Sequence, residues 1–306
     1  MSAVIPATPR GVAYSCEAAM ELELAARVAD DDEISLAAKV ADDADSAVTY
    51  YSVGILADQE DLAARAVELL GSRGLRLTYH PIDMDLGGND PLDDLTVKRM
   101  RQRAEELDAP WVTVDLAQWV KRGEPLINNL VPMPLIREAV DWVVPRIQRL
   151  QDEIGRPLAV ENAPYPFMVG DCDILQLMTE IVDRAGCLAT LDIGHLYGLR
   201  RQQHSELVKP SDADFCWDRV VEVHIAGNFD RTLPSGEFLF EDYHTYRVSP
   251  QVWELAEELV PRAAGVRALM AECEYMPHDD LVASINQISA AVHRWFGTEP
   301  GQGGQR

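Results

Sequence analysis

The chain is short of cysteine, of positive charge and of long apolar runs. Five cysteines occur in 306 residues (Cys16, Cys172, Cys187, Cys216 and Cys273), with no Cys-x-x-Cys pair. An odd, unpaired set excludes a disulfide framework and a zinc ribbon, and points to free thiols in a reducing compartment. Lysine and arginine number 27 against 51 aspartates and glutamates, a formal net charge of -24. A surface so acidic repels phosphate backbones and anionic headgroups, so neither nucleic acid nor a membrane is expected as a partner. No apolar run reaches the ~20 residues of a membrane span. Met1–Arg10 carries two prolines and no apolar stretch behind a basic start, so no signal peptide is expected and the chain is assigned to the cytoplasm. No Gly-x-Gly-x-x-Gly follows the first apolar run, which weakens a doubly wound nucleotide-binding sheet.

What the chain does have is an ordinary globular composition, 47% hydrophobic and 25% charged, and a repeating pattern. Eight short apolar or β-branched runs read as strands: Gly11–Ser15, Ala47–Val53, Leu75–His80, Trp111–Leu116, Leu158–Asn162, Leu188–Ile193, Val220–Ala226 and Ala268–Glu274. Between them lie helical patterns at Asp61–Leu70, Asp93–Leu107, Leu135–Ile154, Ile174–Ala185 and Gln251–Val260, and a last one at Leu281–Trp295. Pro145 is expected to kink or break its helix. Eight strands alternating with helical patterns in this length predict an α/β fold, a (β/α)8 TIM barrel. One domain is expected over residues 1–296, with a disordered tail, Gly297–Arg306. Four connections after strands are long, Pro81–Pro91, Ala117–Pro134, Leu196–Asp214 and Gly227–Ser249, and would form the catalytic face.

Polar residues interrupt the apolar runs at their C-terminal ends. They are His80, Asp115, Glu161, Asp192, His195, His224 and Glu272, with Asp242 and His244 in the loop after the seventh run. In a barrel all nine project from one face. Five carboxylates packed together repel one another or must be protonated, unless cations lie among them. One ion takes roughly four to six ligands, so nine imply more than one metal. Taken singly, each of these residues reads as an ordinary loop hydrogen-bonder. It is their shared register that points to metal. Trp111, Trp142 and Trp253 read as core, Cys273 as buried and inert, and Arg200-Arg201 as a solvated loop or a contact for an anionic substrate.

Local strings carry a resemblance. They are Leu77-Thr-Tyr-His80 followed by Leu86-Gly-Gly88, Ala159-Val-Glu161-Asn162-Ala-Pro164, Glu222-Val-His224-Ile-Ala-Gly227, Asp242-Tyr-His244, and Met270-Ala-Glu272-Cys-Glu-Tyr-Met-Pro277. In order and spacing they resemble the multinuclear non-heme iron-dependent oxidative enzymes of the xylose-isomerase-like barrel superfamily. Three positions depart from that family. Asp115 and Asn228 stand where it usually has histidine, and His195 where it usually has asparagine, as in the related nucleases and epimerases.

The resemblance implies two or three iron ions held by the nine residues, with Glu161 or Glu272 bridging. Mn, Zn or Co are the alternative metals for such ligands. It implies dioxygen-dependent modification of a peptide or small amino-acid-like substrate in natural-product biosynthesis, in some members with a partner protein that presents the peptide. His80, Glu161 and Glu272 are the expected catalytic residues. Tyr79, Asn162 and Asn228 are expected to orient ligands or substrate. Three other functions compete: a divalent-metal sugar isomerase or epimerase with Glu161 and Glu272 as acid and base, an endonuclease IV-type zinc phosphodiesterase, and a peptide-binding scaffold with a vestigial site.

Overall fold

The computed structural model describes residues 23–28, 31–42, 50–121, 124–126, 130–236, 238–244, 247–272 and 278–296. Within them eight parallel strands form a closed ring: β1 (Glu23–Val28), β2 (Tyr50–Val53), β3 (Arg76–Tyr79), β4 (Val112–Asp115), β5 (Leu158–Glu161), β6 (Leu188–Asp192), β7 (Val220–Ala226) and β8 (Ala268–Glu272). Pairing of β1 with both β2 and β8 closes it. A helix follows every strand: α1 (Asp31–Ala41), α2 (Glu60–Leu69), α3 (Asp94–Glu106), α4 (Ala139–Ile154), α5 (Ile174–Ala185), α6 (Ile193–Gln202), α7 (Pro250–Leu259) and α8 (His278–Phe296). This is the (β/α)8 barrel the pattern predicts.

Seven of the eight expected strands coincide with barrel strands. Gly11–Ser15 lies outside the described residues, as do Cys273 and the tail Gly297–Arg306. The first barrel strand is instead Glu23–Val28. Pro145 does not break α4, which runs unbroken through it. An interior proline costs roughly 3 kcal/mol. The helix meanwhile buries Val140, Val143, Val144, Ile147, Leu150 and Ile154 along one stripe, each contributing about 1.5–3 kcal/mol. Packing wins. The stretch Leu196–Asp214, expected as a loop, is helical up to Gln202.

The barrel interior is layered. At the N-terminal ends of the strands, Tyr50, Trp111, Ala159, Leu188, Val221, Ala268 and Met270 form an apolar floor, with the Tyr50 and Trp111 rings stacked 6.0 Å apart. Above it come buried polar side chains, among them Ser52, Thr78, Thr113, Thr190 and Glu222. The strand ends that carry the candidate ligands lie above these. Trp142 and Trp253 are half-buried against the outer core. Arg200 is neither solvated nor free for a substrate. It is buried and pairs with Asp212 through both guanidinium nitrogens, at 2.9 and 2.5 Å.

Two glycines are required by close approach. A Cβ on Gly87 would stand 2.8 Å from the Ala117 nitrogen, where the loop after β3 crosses the end of β4 and Gly87 N donates to Ala117 O at 2.7 Å. A Cβ on Gly198 would stand 2.4 Å from the Phe240 ring. There α6 packs on an antiparallel hairpin (Asn228–Thr232 with Phe238–Asp242) that rises after β7 and folds back across the barrel mouth.

Candidate metal centre

Strand register brings the acids and imidazoles together. Asp115 and Glu161, the last residues of β4 and β5, are direct neighbours, as are Asp192 on β6 and His224 on β7. Glu272 ends β8 beside Ala226. His80 follows β3. Asp192 also caps α6, its carboxylate accepting from His195 N at 2.5 Å, so the first turn of that helix carries His195 to the rim. The hairpin returns Asp242, with His244 two residues beyond.

The result is a nearly continuous chain in which carboxylates alternate with imidazoles. His80 Nε2 lies 4.0 Å from Asp115 Oδ2 and 2.9 Å from Glu161 Oε2. His224 Nδ1 lies 3.0 Å from Glu161 Oε1 and 3.3 Å from Glu272 Oε1. His244 Nε2 lies 3.7 Å from Glu272 Oε2 and 3.2 Å from Asp242 Oδ1. His195 Nε2 lies 3.2 Å from Asp242 Oδ2, and its Nδ1 3.7 Å from both Glu161 Oε1 and Asp192 Oδ1. All nine ligand candidates from the sequence therefore meet. All are buried except Asp242, whose side chain is 21% exposed.

Burial and neighbouring charges pull the acids of the rim in opposite directions. Burial opposes ionisation of Glu161, yet His224 and His80 hold its carboxyl well below the ordinary range. Burial likewise opposes ionisation of Asp242, and His244 and His195 override it. Asp192 goes the other way. Burial pushes it up to about 8, and Glu272, Glu161 and Asp242 add to the rise against the charge of His195. The donor set fits metal ions. The buried Asp192 Oδ2 and His224 Nδ1 make no hydrogen bond. Glu161 and His224 belong to both groups whose ligand atoms lie within 4.8 Å of one another, His80–Glu161–His224 and Glu161–Asp192–His224–Glu272.

The residues expected to orient the site have distinct places. Asn162 ties β5 to β6 by paired bonds, Nδ2 donating to Asp192 O at 2.8 Å and Oδ1 accepting from Asp192 N at 2.9 Å. Its own carbonyl lies 2.8 Å from His195 Nδ1, which leaves Nε2 of that ring turned to Asp242. Asn228 is buried opposite Asp242 in the hairpin, with both amide atoms unpaired. Tyr79 alternates away from the lumen and packs in the layer between barrel and helices, where burial and then Asp83 raise its hydroxyl well above the ordinary value.

Glu222 is a residue the sequence reading passed over as a site residue. It is fully buried, two positions before His224 on the lumen face of β7, and its Oε1 lies 3.1 Å from His224 Nε2. The available signal was a carboxylate in step with a candidate ligand histidine inside an otherwise apolar strand.

A family profile described as RiPP precursor modification enzyme MbnB/TglH/ChrH matches residues 55–293. The chain belongs to this family. Its membership bears out the resemblance read from the motifs, and the matched span contains all nine clustered residues. Similar curated proteins include a UPF0276 protein of Acaryochloris marina, 29% identical over 213 residues, 69% of this chain and 75% of that one. Among solved structures, the fold is similar to D-allulose 3-epimerase from Methylomonas sp. (TM-score 0.57, 15% identity, 89% of this chain and 98% of that one). It is also similar to a xylose isomerase domain containing protein from Salmonella typhimurium (TM-score 0.54, 14% identity, 90% and 99%). At such identities the likeness is one of fold: a xylose isomerase-like TIM barrel.

Beside the cluster opens a cavity of about 1610 Å³, whose wall includes Asp242, Tyr243, Pro164 and Trp119. Its lining is strongly acidic, with Asp58, Asp83, Asp90 and Glu241 among the carboxylates and Arg149 as the one basic residue among the described residues. Arg149 is itself engaged by Asp94 and Glu153, at 2.5 and 2.7 Å. Among the described residues no helix is long and apolar enough to cross a membrane.

Proposed function

We propose that this chain is a multinuclear non-heme iron enzyme that uses dioxygen to modify a peptide, a RiPP precursor, in natural-product biosynthesis. The observation that carries the reading is the alternation of four histidines with five carboxylates, their lone pairs turned on one another in a buried rim. Without cations, such a cluster must take up protons to relieve its charge, and polyvalent cations remove that need. The family supplies the substrate class.

In this reading His80, Asp115, Glu161, Asp192, His195, His224, Asp242, His244 and Glu272 would hold two or three irons, Glu161 belonging to both groups of converging ligand atoms. Bound iron would supply one-electron chemistry with dioxygen. The chain does the rest. Asn162 and Asp192 fix the ring of His195. The hairpin roofs the rim and limits water. The acidic cavity admits a neutral or cationic peptide segment and disfavours a phosphodiester, which argues against the nuclease function. Asn228, beside Asp242, offers an amide that can orient a peptide bond.

A second reading has one observation in its favour. His195 sits at the rim where the resemblance expects asparagine, as in the metal-dependent epimerases, and Glu161 and Glu272 flank His224 as an acid–base pair would. Elemental analysis and a spin-resonance spectrum of anaerobically purified protein separate the two. Two or three irons per chain, with oxygen uptake on adding the peptide, support the oxidative enzyme. Stoichiometric manganese or cobalt with oxygen-independent turnover of a sugar overturns it.

A further inference from the structure

The rim ligands differ in what holds them from behind. His195 rests on a backbone carbonyl, that of Asn162. His224 rests on a carboxylate. Its two ring nitrogens face opposite ways: Nδ1 toward Glu161 and Glu272 in the cluster, and Nε2 down the barrel toward Glu222 Oε1 at 3.1 Å. The other oxygen of Glu222 accepts from Trp111 Nε1 at 2.6 Å and from Thr113 Oγ1 at 2.9 Å. Thr113 Oγ1 in turn lies 3.3 Å from Thr190 Oγ1. Trp111 belongs to the apolar floor, so a line of contacts runs from that floor to the rim.

We infer that Glu222 is a positioning residue. It fixes His224 as the Nε2–H tautomer and so reserves the Nδ1 lone pair for metal.

The argument is one of inventory. A neutral imidazole has one N–H and one lone pair. Trp111 and Thr113 donate to Glu222 Oε2, and the remaining oxygen, Oε1, which in a carboxylate can only accept, faces His224 Nε2. Nε2 must therefore be the donor, and Nδ1 is left as the acceptor that turns to the cluster. A buried carboxylate is costly to desolvate without such partners. Here three donors converge on it: Trp111, Thr113 and the His224 ring. A carboxylate behind a ligand histidine also raises the basicity of the ring toward the metal. Glu222 touches neither substrate nor metal in this scheme. It acts only through His224.

This inference rests on the metal-centre reading above, and the test distinguishes the failure of each. Glu222→Gln keeps the shape and can still accept from Trp111 and Thr113. It presents an amide N–H to Nε2, which forces the proton onto Nδ1 and blocks the lone pair. The expected result is a folded barrel with unchanged near-ultraviolet dichroism and metal affinity lowered about 10- to 100-fold, read by titration with zinc as a diamagnetic probe. Zinc affinity equal to that of the natural chain overturns the inference. A second measurement needs no variant. Nitrogen-15 resonances of the zinc-loaded natural chain should show His224 protonated at Nε2 and metal-bound at Nδ1. The opposite assignment overturns the inference even if Glu222→Gln does not fold. A natural chain that binds no zinc, iron, manganese or cobalt overturns the metal centre and this inference with it.

Discussion

The carboxylate of Asp242 stands 3.2 Å from His195 Nε2 because the hairpin after β7 turns back over the mouth of the barrel and docks on α6. Most of the rim is thus built into strand ends, whereas Asp242 and His244 are delivered by an excursion of the chain. The two parts should respond differently to mutation.

Asp242→Ala removes a ligand from the half-exposed end of the rim, where no barrel strand depends on it. The expected outcome is loss of about one metal ion per chain, with thermal stability of the metal-free protein little changed. Glu161→Ala should instead empty the whole centre, since Glu161 contacts His80, His195 and His224. Metal counts per chain for the two variants check this. Equal losses would contradict a shared Glu161.

Gly198→Ala tests the seating of the hairpin. Alanine in a helix is worth roughly 0.5–1 kcal/mol over glycine, whereas forcing a methyl group into a filled site costs about 1–3 kcal/mol. With the Phe240 ring 2.4 Å from the added Cβ, overpacking should win. The variant should be net destabilised in urea and bind metal more weakly, because Asp242 moves with Phe240. An unchanged metal affinity would show that the hairpin adjusts independently of α6.

Stability of the metal-free protein should fall as pH rises from about 6 to 9. Burial raises Asp192 to about 8. His195 and His224 are raised well above an ordinary imidazole, burial notwithstanding, by Asp192 and Asp242 in the first case and Glu161 and Glu272 in the second. A group raised on folding stabilises fully below its unfolded value, about 3.9 for Asp and 6.5 for His. That contribution is lost as pH climbs through the folded value. Glu161 and Asp242, held low, act oppositely and weaken the fold only toward about pH 4 and below. Bound metal replaces the protons, so the loaded protein should show a flatter profile between about pH 6 and 9. Melting curves of chelated and reloaded samples across this range decide it, and parallel profiles would count against cations in the rim.

Arg200→Ala strands the buried carboxylate of Asp212. Removing one partner of a buried pair costs roughly 3–5 kcal/mol, so denaturant melts should shift strongly while metal stoichiometry per folded chain stays constant. A stable variant with altered substrate affinity would restore Arg200 as a substrate contact.

Most strands and all nine rim residues were legible because a barrel imposes a local code. An apolar run sits in a wall, and a polar residue at its C-terminal end sits at the rim, so spacing alone sorts one from the other. The code fails where contacts override local preference. Glu23–Val28 is a strand although its Glu, Leu, Ala and Arg are good helix formers. Pairing on both edges, with β2 and β8, decides its state, and nothing within the six residues announces that. Pro145 reads as a helix breaker, and a buried stripe overrules it. Arg200 reads as solvated, and Asp212 claims it. Which ligands touch which, and what stands behind each, could not be read either. The Asp242–His195 contact depends on a hairpin docking against a helix, and the Glu222–His224 contact on which nitrogen of a ring turns inward. Sequence by itself determined the fold class and the membership of the rim, because both follow from periodicity along the chain. Tertiary structure decided the pairing of charges, because a carboxylate's partner is set by ring closure between strands that are distant in sequence.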